Sequence, residues 1–375
     1  MTTNYITKRP HKKSRAGCKT SQVSFEISHQ LATPTGTSPT SSSSNSDEDE
    51  NDYLSLTLIN PMPPATMSSG NLSANDLRLM YHWSTFTYDA VGVGDHMHNV
   101  LRFVLPELAF ENEFLLNGML GIASLHRQKL LPYPGESKKE TDLYRFKALS
   151  SFRKAVPSIR PDSPNYEAAL VMSVLLVVLC SQDYNPEDGE LTIVRWIVLY
   201  RGLYHIMMIR SYSGITDTSV FPIFTRQLTE LRTDPVVPTI LLKMLAMVDV
   251  SDPDYAELPF YCSILDALGM LYASLRDDGP GLNLAVRVVS WLSHGSDPFA
   301  KCAKENRPRA LVILAHYLVF MKLVKGLWWY EGVADREIKA ISNIVGPKYA
   351  PYMEVPVRAA EMTDIEEITN LMLSR

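Results

Sequence analysis

A chain of 375 residues that is 46% hydrophobic and 21% charged has a globular composition with room for one large domain or two ordinary ones, which excludes a fibrous or wholly disordered protein. Its four cysteines, Cys18, Cys180, Cys262 and Cys302, lie far apart with no Cys-x-x-Cys pair, which excludes a disulfide framework and suits a reducing compartment. The net charge of −5 hides an asymmetry: residues 1–30 hold six of the 36 Lys/Arg and one of the 41 Asp/Glu, so the tail is near +5 and the rest near −10. The tail can contact phosphate or direct nuclear import, whereas the acidic remainder by itself is repelled by nucleic acid.

Residues 1–30 have too little apolar content to pack. Lys8, Arg9, Lys12, Lys13, Arg15 and Lys19 read as a nuclear-import patch or as contacts to the DNA backbone, and the plain alternative is a solvated tail. No apolar run opens the chain, so no secretory signal is expected. The longest apolar run, Ala168 to Cys180, is shorter than the ~20 residues a membrane crossing needs, and the expectation is a soluble, intracellular protein with no membrane span. Residues 31–70 read as a disordered linker. Thr33 to Ser46 holds only Thr, Pro, Gly, Ser and Asn, followed by the acidic run Asp47 to Asp52 and then Leu54, Leu56 and Leu58 alternating with Ser55 and Thr57. That segment reads as an extended linker, or alternatively as an added strand or small activation segment for a protein partner.

The folded body, 71–375, reads as all-α with ten or more helices. Ser73 and Asp76 have capping-box spacing ahead of an aromatic-faced helix through Leu77, Met80, Tyr81, Trp83, Phe86 and Tyr88. Val100 to Leu105 is a short helical piece that Pro106 is expected to stop. Helices follow at Asn112–Leu131 and over Leu143, Phe146, Leu149, Phe152 and Val156, whose three- and four-residue steps give one buried stripe. Ser163 and Pro164 suit an N-cap and first-turn proline for a helix through Ala168–Cys180 that is apolar all round and therefore central. Glu190–Arg210 is a long helix whose pattern Arg195, Arg201 and Arg210 interrupt. Further helices are expected at Val236–Val248, Tyr255–Arg276, Leu282–Ser293, Pro308–Tyr330, Asp335–Val345 and Met362–Leu373, with Pro222, Pro235, Pro253, Pro298, Pro347 and Pro351 between helices.

Catalytic chemistry is not evident. Neither a Gly-x-Ser-x-Gly elbow nor a His-Glu-x-x-His zinc motif is present, and no catalytic residue is assigned. Gly92-Val93-Gly94 reads as a turn, and His96 and His98 as loop or surface histidines. Asp249, Asp252 and Asp254 have only the composition of a calcium loop, since Asp254 stands where glycine belongs. Asp277-Asp278 reads as a helix end, and His126, His205 and His316 as structural histidines. Met207-Met208, Met244, Met247, Met270, Met321 and Trp328-Trp329-Tyr330 read as ordinary core, with an apolar ligand pocket as the alternative.

The stretch Lys8 to Thr20, with His11-Lys12-Lys13-Ser14-Arg15-Ala16-Gly17-Cys18-Lys19-Thr20 at its centre, resembles the opening of the six-cysteine binuclear zinc cluster of fungal transcription factors. The family places a second cysteine three residues on. Here that residue is Ser21, and Cys18 is the only surviving cysteine of cluster type. Six thiolates hold the two zinc ions of such a module, which is unfolded without them, so no zinc or other cofactor and no independent sequence-specific DNA binding is expected unless a missing exon restores the cysteines.

The body resembles the regulatory region of sterol uptake control proteins in the same family. The resemblance rests on Leu77-Arg78-Leu79-Met80-Tyr81-His82-Trp83, Asn117-Gly118-Met119-Leu120-Gly121-Ile122-Ala123-Ser124-Leu125-His126 and Tyr200-Arg201-Gly202-Leu203, the last matching a family "arginine-glycine" turn. It implies a nuclear transcription regulator of RNA polymerase II genes, responsive to a sterol or other small apolar ligand, with regulatory protein partners and only weak non-specific DNA contact by the tail. The alternative from the residues is a helical ligand- or protein-binding module with no role on DNA.

Overall fold

The computed structural model describes residues 72–131, 135–182, 190–225 and 228–374, all within the larger of the chain's two units, Met62–Arg375. The basic tail with Cys18, the linker and the acidic segment lie outside these residues. Among the described residues the fold is all-α, with no strand.

Ser73 starts the body as expected. Its Oγ accepts the Asp76 N–H at 3.1 Å while Asp76 accepts the Ser73 N–H at 2.7 Å, a reciprocal capping box at the start of α1 (Ala74–His82). The expected aromatic-faced helix is unbroken from Ala74 to Val91 but not α-helical throughout. A π-helical turn, Trp83–Thr87, joins α1 to α2 (Tyr88–Val91). Nor is its aromatic face uniformly inward: Trp83 is buried and donates its indole N–H to the Leu101 carbonyl at 2.8 Å, while Tyr81 and Phe86 are exposed.

A second π turn, Val100–Val104, runs straight into α3 (Leu105–Glu111), so Pro106 does not stop the helix. It sits in the first turn of α3 and has no N–H to donate, and the Leu101 carbonyl five residues earlier accepts the Trp83 indole N–H instead.

Helix α4 (Glu113–Leu130) packs between α5 (Gly135–Ala155) and α6 (Tyr166–Leu179), and two glycines let it approach both closely. A Cβ at Gly118 would lie 2.7 Å from the Met172 sulfur, and one at Gly121 would lie 2.8 Å from Leu179 Cδ1 and 3.3 Å from Tyr144 Cβ. α6 is buried nearly all round, as its composition predicts. Its N-cap is Asn165, not Ser163: the Ser163 Oγ accepts the Arg160 N–H at 2.7 Å and so closes the preceding turn instead.

Next come α7 (Thr192–Arg210), α8 (Thr239–Ala246), α9 (Leu258–Asp278), α10 (Leu282–Trp291), α11 (Asp297–Lys304), α12 (Pro308–Lys322), α13 (Val333–Val345), α14 (Ala350–Glu361) and α15 (Ile365–Leu373). Helices α11 and α14 are absent from the sequence reading because Pro298 and Pro351 look like breakers. Both occupy first turns, and Ser296 caps α11 by accepting the Phe299 N–H at 3.3 Å. The expected single helix Pro308–Tyr330 ends at Lys322; Gly326 then takes φ +85° and a separate 3-10 turn carries Trp328–Tyr330. Within α12, every residue from Arg309 to Met321 is buried.

Among the described residues, Tyr255–Asp278 is long and apolar enough to cross a membrane by length and composition, unlike the shorter run Ala168 to Cys180. Tyr261, Ile264, Leu265, Leu268, Leu271 and Tyr272 of this stretch are buried in the bundle core.

Candidate apolar ligand site

A cavity of about 550 Å³ lies inside the bundle. α6 gives it Val171, Val174, Leu175, Val177 and Val178, and α7 gives Tyr200, Leu203, Tyr204, Met207 and Met208. α10 adds Val286, Val289 and Ser290, and the 3-10 turn after it, Leu292–His294, adds Ser293. The segment Val91 to Met97 and the turn Ile223 to Thr225 close the remaining sides, together with Leu101 and Trp329. Size and an apolar lining with few polar groups are the ordinary properties of a small-molecule pocket.

Among the described residues, none that lines the cavity is Asp, Glu, Lys or Arg. Most of its polar side chains already donate their hydrogens internally. Tyr200 Oη donates to the Val289 carbonyl at 2.7 Å, Trp329 Nε1 to Val91 at 3.1 Å and Thr225 Oγ1 to Pro222 at 2.9 Å. Ser290 and Ser293 donate to the carbonyls of Arg287 and Ser290, one turn earlier in the chain. Among the described residues, His96 and Tyr204 make no such bond.

The arginine-glycine motif has a role here, but not as a turn. Tyr200-Arg201-Gly202-Leu203 lies in the middle of α7, with Tyr200 and Leu203 in the cavity wall. Arg201 grips Asp297 of α11 with two bonds, Nε–Oδ1 at 2.6 Å and Nη2–Oδ2 at 3.0 Å, and lays its guanidinium 4.3 Å from the centre of the Tyr204 ring. These hydrogen bonds hold the Asp297 carboxyl below the usual range.

The methionine and tryptophan residues read as core divide among three environments. Met244 and Met321 are buried in the core with Met270 packed against it, Met247 is exposed and so departs from the core reading, and Met207, Met208 and Trp329 line the cavity, so the pocket alternative applies to that part of the set. Trp329 also belongs to an aromatic group: its ring centre is 5.6 Å from Trp196 and 4.3 Å from Tyr330.

Gly92-Val93-Gly94 is a turn as expected, and it forms cavity wall. Gly94 has φ +93°, a conformation that favours glycine, and a Cβ there would meet His96 Nδ1 at 2.9 Å. His98 instead lies 3.2 Å from Asp89 on the surface.

The remaining candidates are structural. Arg309 bridges Asp252 and Asp254, at 2.7 Å to each carboxylate, and Arg307 reaches Asp254 at 3.2 Å, so guanidinium groups occupy the place a cation would take. Burial pushes the Asp252 carboxyl up, but the hydrogen bonds and charge of Arg309 override it and hold the group low. Asp277 and Asp278 end α9, where Asp277 accepts the Arg232 N–H at 2.6 Å and Asp278 pairs with the Arg232 guanidinium at 3.0 Å. His126 is buried against Thr87 at 3.1 Å, stacks on Trp328 and is pushed down to about 4 by burial. His316 is buried beside the Tyr352 carbonyl at 2.9 Å and is likewise pushed down to about 4. His205 departs from the structural reading: it is exposed, 3.6 Å from Asp297. Among the described residues no group of three or more His, Cys, Asp or Glu could hold a metal.

Residues 78–231 match the family described as the fungal specific transcription factor domain. A Zn(2)-C6 fungal-type transcription factor of Gibberella zeae is 20% identical over 313 residues, 76% of this chain and 61% of the relative. Sterol uptake control protein 2 of Candida albicans is 30% identical over 116 residues, 30% of this chain and 15% of the relative. The Saccharomyces cerevisiae protein of the same name is 30% identical over 121 residues, 30% of this chain and 12% of the relative. The chain thus spans less than two thirds of the length of each of these relatives. The resemblance to fungal zinc-cluster transcription factors read from the sequence is borne out, including its likeness to the sterol uptake control proteins.

Proposed function

We propose that this chain is a transcription regulator of the fungal zinc-cluster type whose helical body responds to a sterol or another small apolar molecule. The observation that carries this reading is the coincidence of the two findings above. The cavity walls contributed by residues 91–225 fall inside the matched span 78–231. The region that resembles a transcription-factor domain thus supplies most of the apolar site, and Val286, Val289, Ser290, Ser293 and Trp329 complete it from outside that span.

Specific DNA binding is not part of the proposal. Ser21 stands where the family has its second cysteine. Among the described residues Cys180 and Cys302 are buried, Cys262 is exposed on α9, and none of them belongs to a group of three or more side chains that could hold a metal. The residues present do not fit two zinc ions. The chain then acts through regulatory protein partners, its basic tail directs it to the nucleus, and no residue is assigned a catalytic role.

The test is the full chain fused to a heterologous DNA-binding domain, with a reporter gene read in cells replete with or depleted of sterol. A sterol-dependent change in reporter output supports the reading. Output that equals the DNA-binding domain alone in both states contradicts it and favours a binding module with no role on DNA.

A further inference from the structure

We propose that the cavity selects an uncharged ligand with a single hydrogen-bonding end, and that His96 and Tyr204 at its mouth read that end. The inference rests on the reading of the cavity as a ligand site and adds the chemistry that the site accepts.

Charge is the first constraint. Among the described residues, no carboxylate, ammonium or guanidinium lines the cavity. The guanidinium that lies over Tyr204, that of Arg201, is already bound by both oxygens of Asp297. A ligand bearing a carboxylate, sulfate or amine would therefore surrender its hydration without gaining a counter-charge, which strongly opposes burial. A neutral ligand escapes that cost.

Hydrogen bonding is the second constraint. The hydroxyl and indole hydrogens of Tyr200, Thr225, Ser290 and Trp329 go to backbone carbonyls. A polar group buried deep among them would find few free donors and lose more than it gained. His96 and Tyr204 are different. Both are partly exposed, both line the cavity, and neither makes an internal hydrogen bond among the described residues.

The two side chains come from different elements. Tyr204 is held under the Arg201 guanidinium, which the Asp297 carboxylate fixes in turn. His96 sits on the 3-10 turn Asp95–Met97, directly after Gly94, whose positive φ lets the imidazole fold back over the backbone. An apolar body inside and one hydroxyl or carbonyl at the mouth satisfy both constraints.

The experiment is displacement of Nile red from the full chain by three compounds sharing one sterol skeleton: the 3-hydroxy sterol, its 3-sulfate and the parent hydrocarbon. The alcohol is expected to bind tightest and the sulfate at least about tenfold more weakly. His96→Ala and Tyr204→Phe are each expected to weaken the alcohol about three- to tenfold and to leave the hydrocarbon unchanged, as loss of one hydrogen bond requires. Circular dichroism confirms that the variants are folded. If the sulfate or the hydrocarbon binds as tightly as the alcohol, or if the variants weaken alcohol and hydrocarbon equally, this inference is overturned while the cavity stands as a ligand site. If neither the dye nor any of the three compounds binds, the ligand-site reading fails and takes this inference with it.

Discussion

The carboxylate of Glu337, on α13, accepts the backbone N–H of Ile193 in the first turn of α7 at 3.1 Å, across 144 positions of sequence. α7 has Leu191 at its N-cap and no side-chain cap of its own. A fully buried acid on another helix therefore does the capping, and Arg336 beside it donates to Thr192 Oγ1 at 3.3 Å. The helix that supplies five residues to the cavity wall is thus fastened at its start to the C-terminal part of the bundle.

Burial raises the Glu337 carboxyl, and the bonds from Ile193 and Arg336 only partly oppose the rise. Between the unfolded and the folded pKa, the folded state holds the proton more tightly, so stability falls as pH increases through that window. Glu337→Gln keeps an acceptor without the charge and should flatten this fall in denaturant titrations taken at a series of pH values. Glu337→Ala leaves the Ile193 N–H buried and unpaired and should cost about 1–3 kcal/mol at all of them.

Arg309 makes the opposite kind of contact. It is 8% exposed and holds the 3%-exposed Asp254 together with Asp252. Arg309→Ala leaves Asp254 with Arg307 and the Tyr261 hydroxyl and should cost about 3–5 kcal/mol in equilibrium unfolding. Arg309→Lys should restore little of it, since one ammonium cannot reproduce the forked contact to two carboxylates. Because Asp252 is held low, the contribution it makes is present above its unfolded pKa and is lost as pH falls through the folded value.

The two glycines of α4 separate by what lies opposite them. At Gly118 the obstacle is the flexible end of Met172, which can move aside; at Gly121 it is Leu179 together with the Cβ of Tyr144. Gly118→Ala should be near neutral, because better helix propensity offsets the crowding. Gly121→Ala should lower stability by about 1–3 kcal/mol. Thermal unfolding of the pair against the parent chain checks the order.

The tail carries a separate prediction. Replacing Lys12, Lys13 and Arg15 by alanine in a fluorescent fusion of the full chain should abolish nuclear accumulation and leave the thermal stability of the body unchanged. Unaltered nuclear signal would remove the import role.

The all-α class, the central position of α6 and the start at Ser73 were legible in the sequence because each depends on local composition or capping chemistry. Helices α11 and α14 were not, since Pro298 and Pro351 can end a helix or begin one, and only the surrounding packing decides. The cavity was partly legible. Met207, Met208 and Trp329 stood out by composition, but Val174 and Val178 look the same whether they face a core or an empty space. Tyr200, Leu203 and Tyr204 recur at three- and four-residue spacing on α7, while Ile193, Trp196 and Ile197 of the same helix are buried. A helix apolar on more than its core face was the available signal, and the arginines at Arg195, Arg201 and Arg210 obscured it. The capping of α7 by Glu337 has no sequence signature at all.

The most direct test of the central claim is lipid analysis by mass spectrometry of the full chain purified from a fungal host, beside Leu203→Trp, which places an indole in the cavity. One neutral apolar molecule per chain, present in the parent and lost from the folded variant, is the predicted result. A parent chain free of such a molecule, or equal amounts in both proteins, would contradict a ligand-responsive helical body.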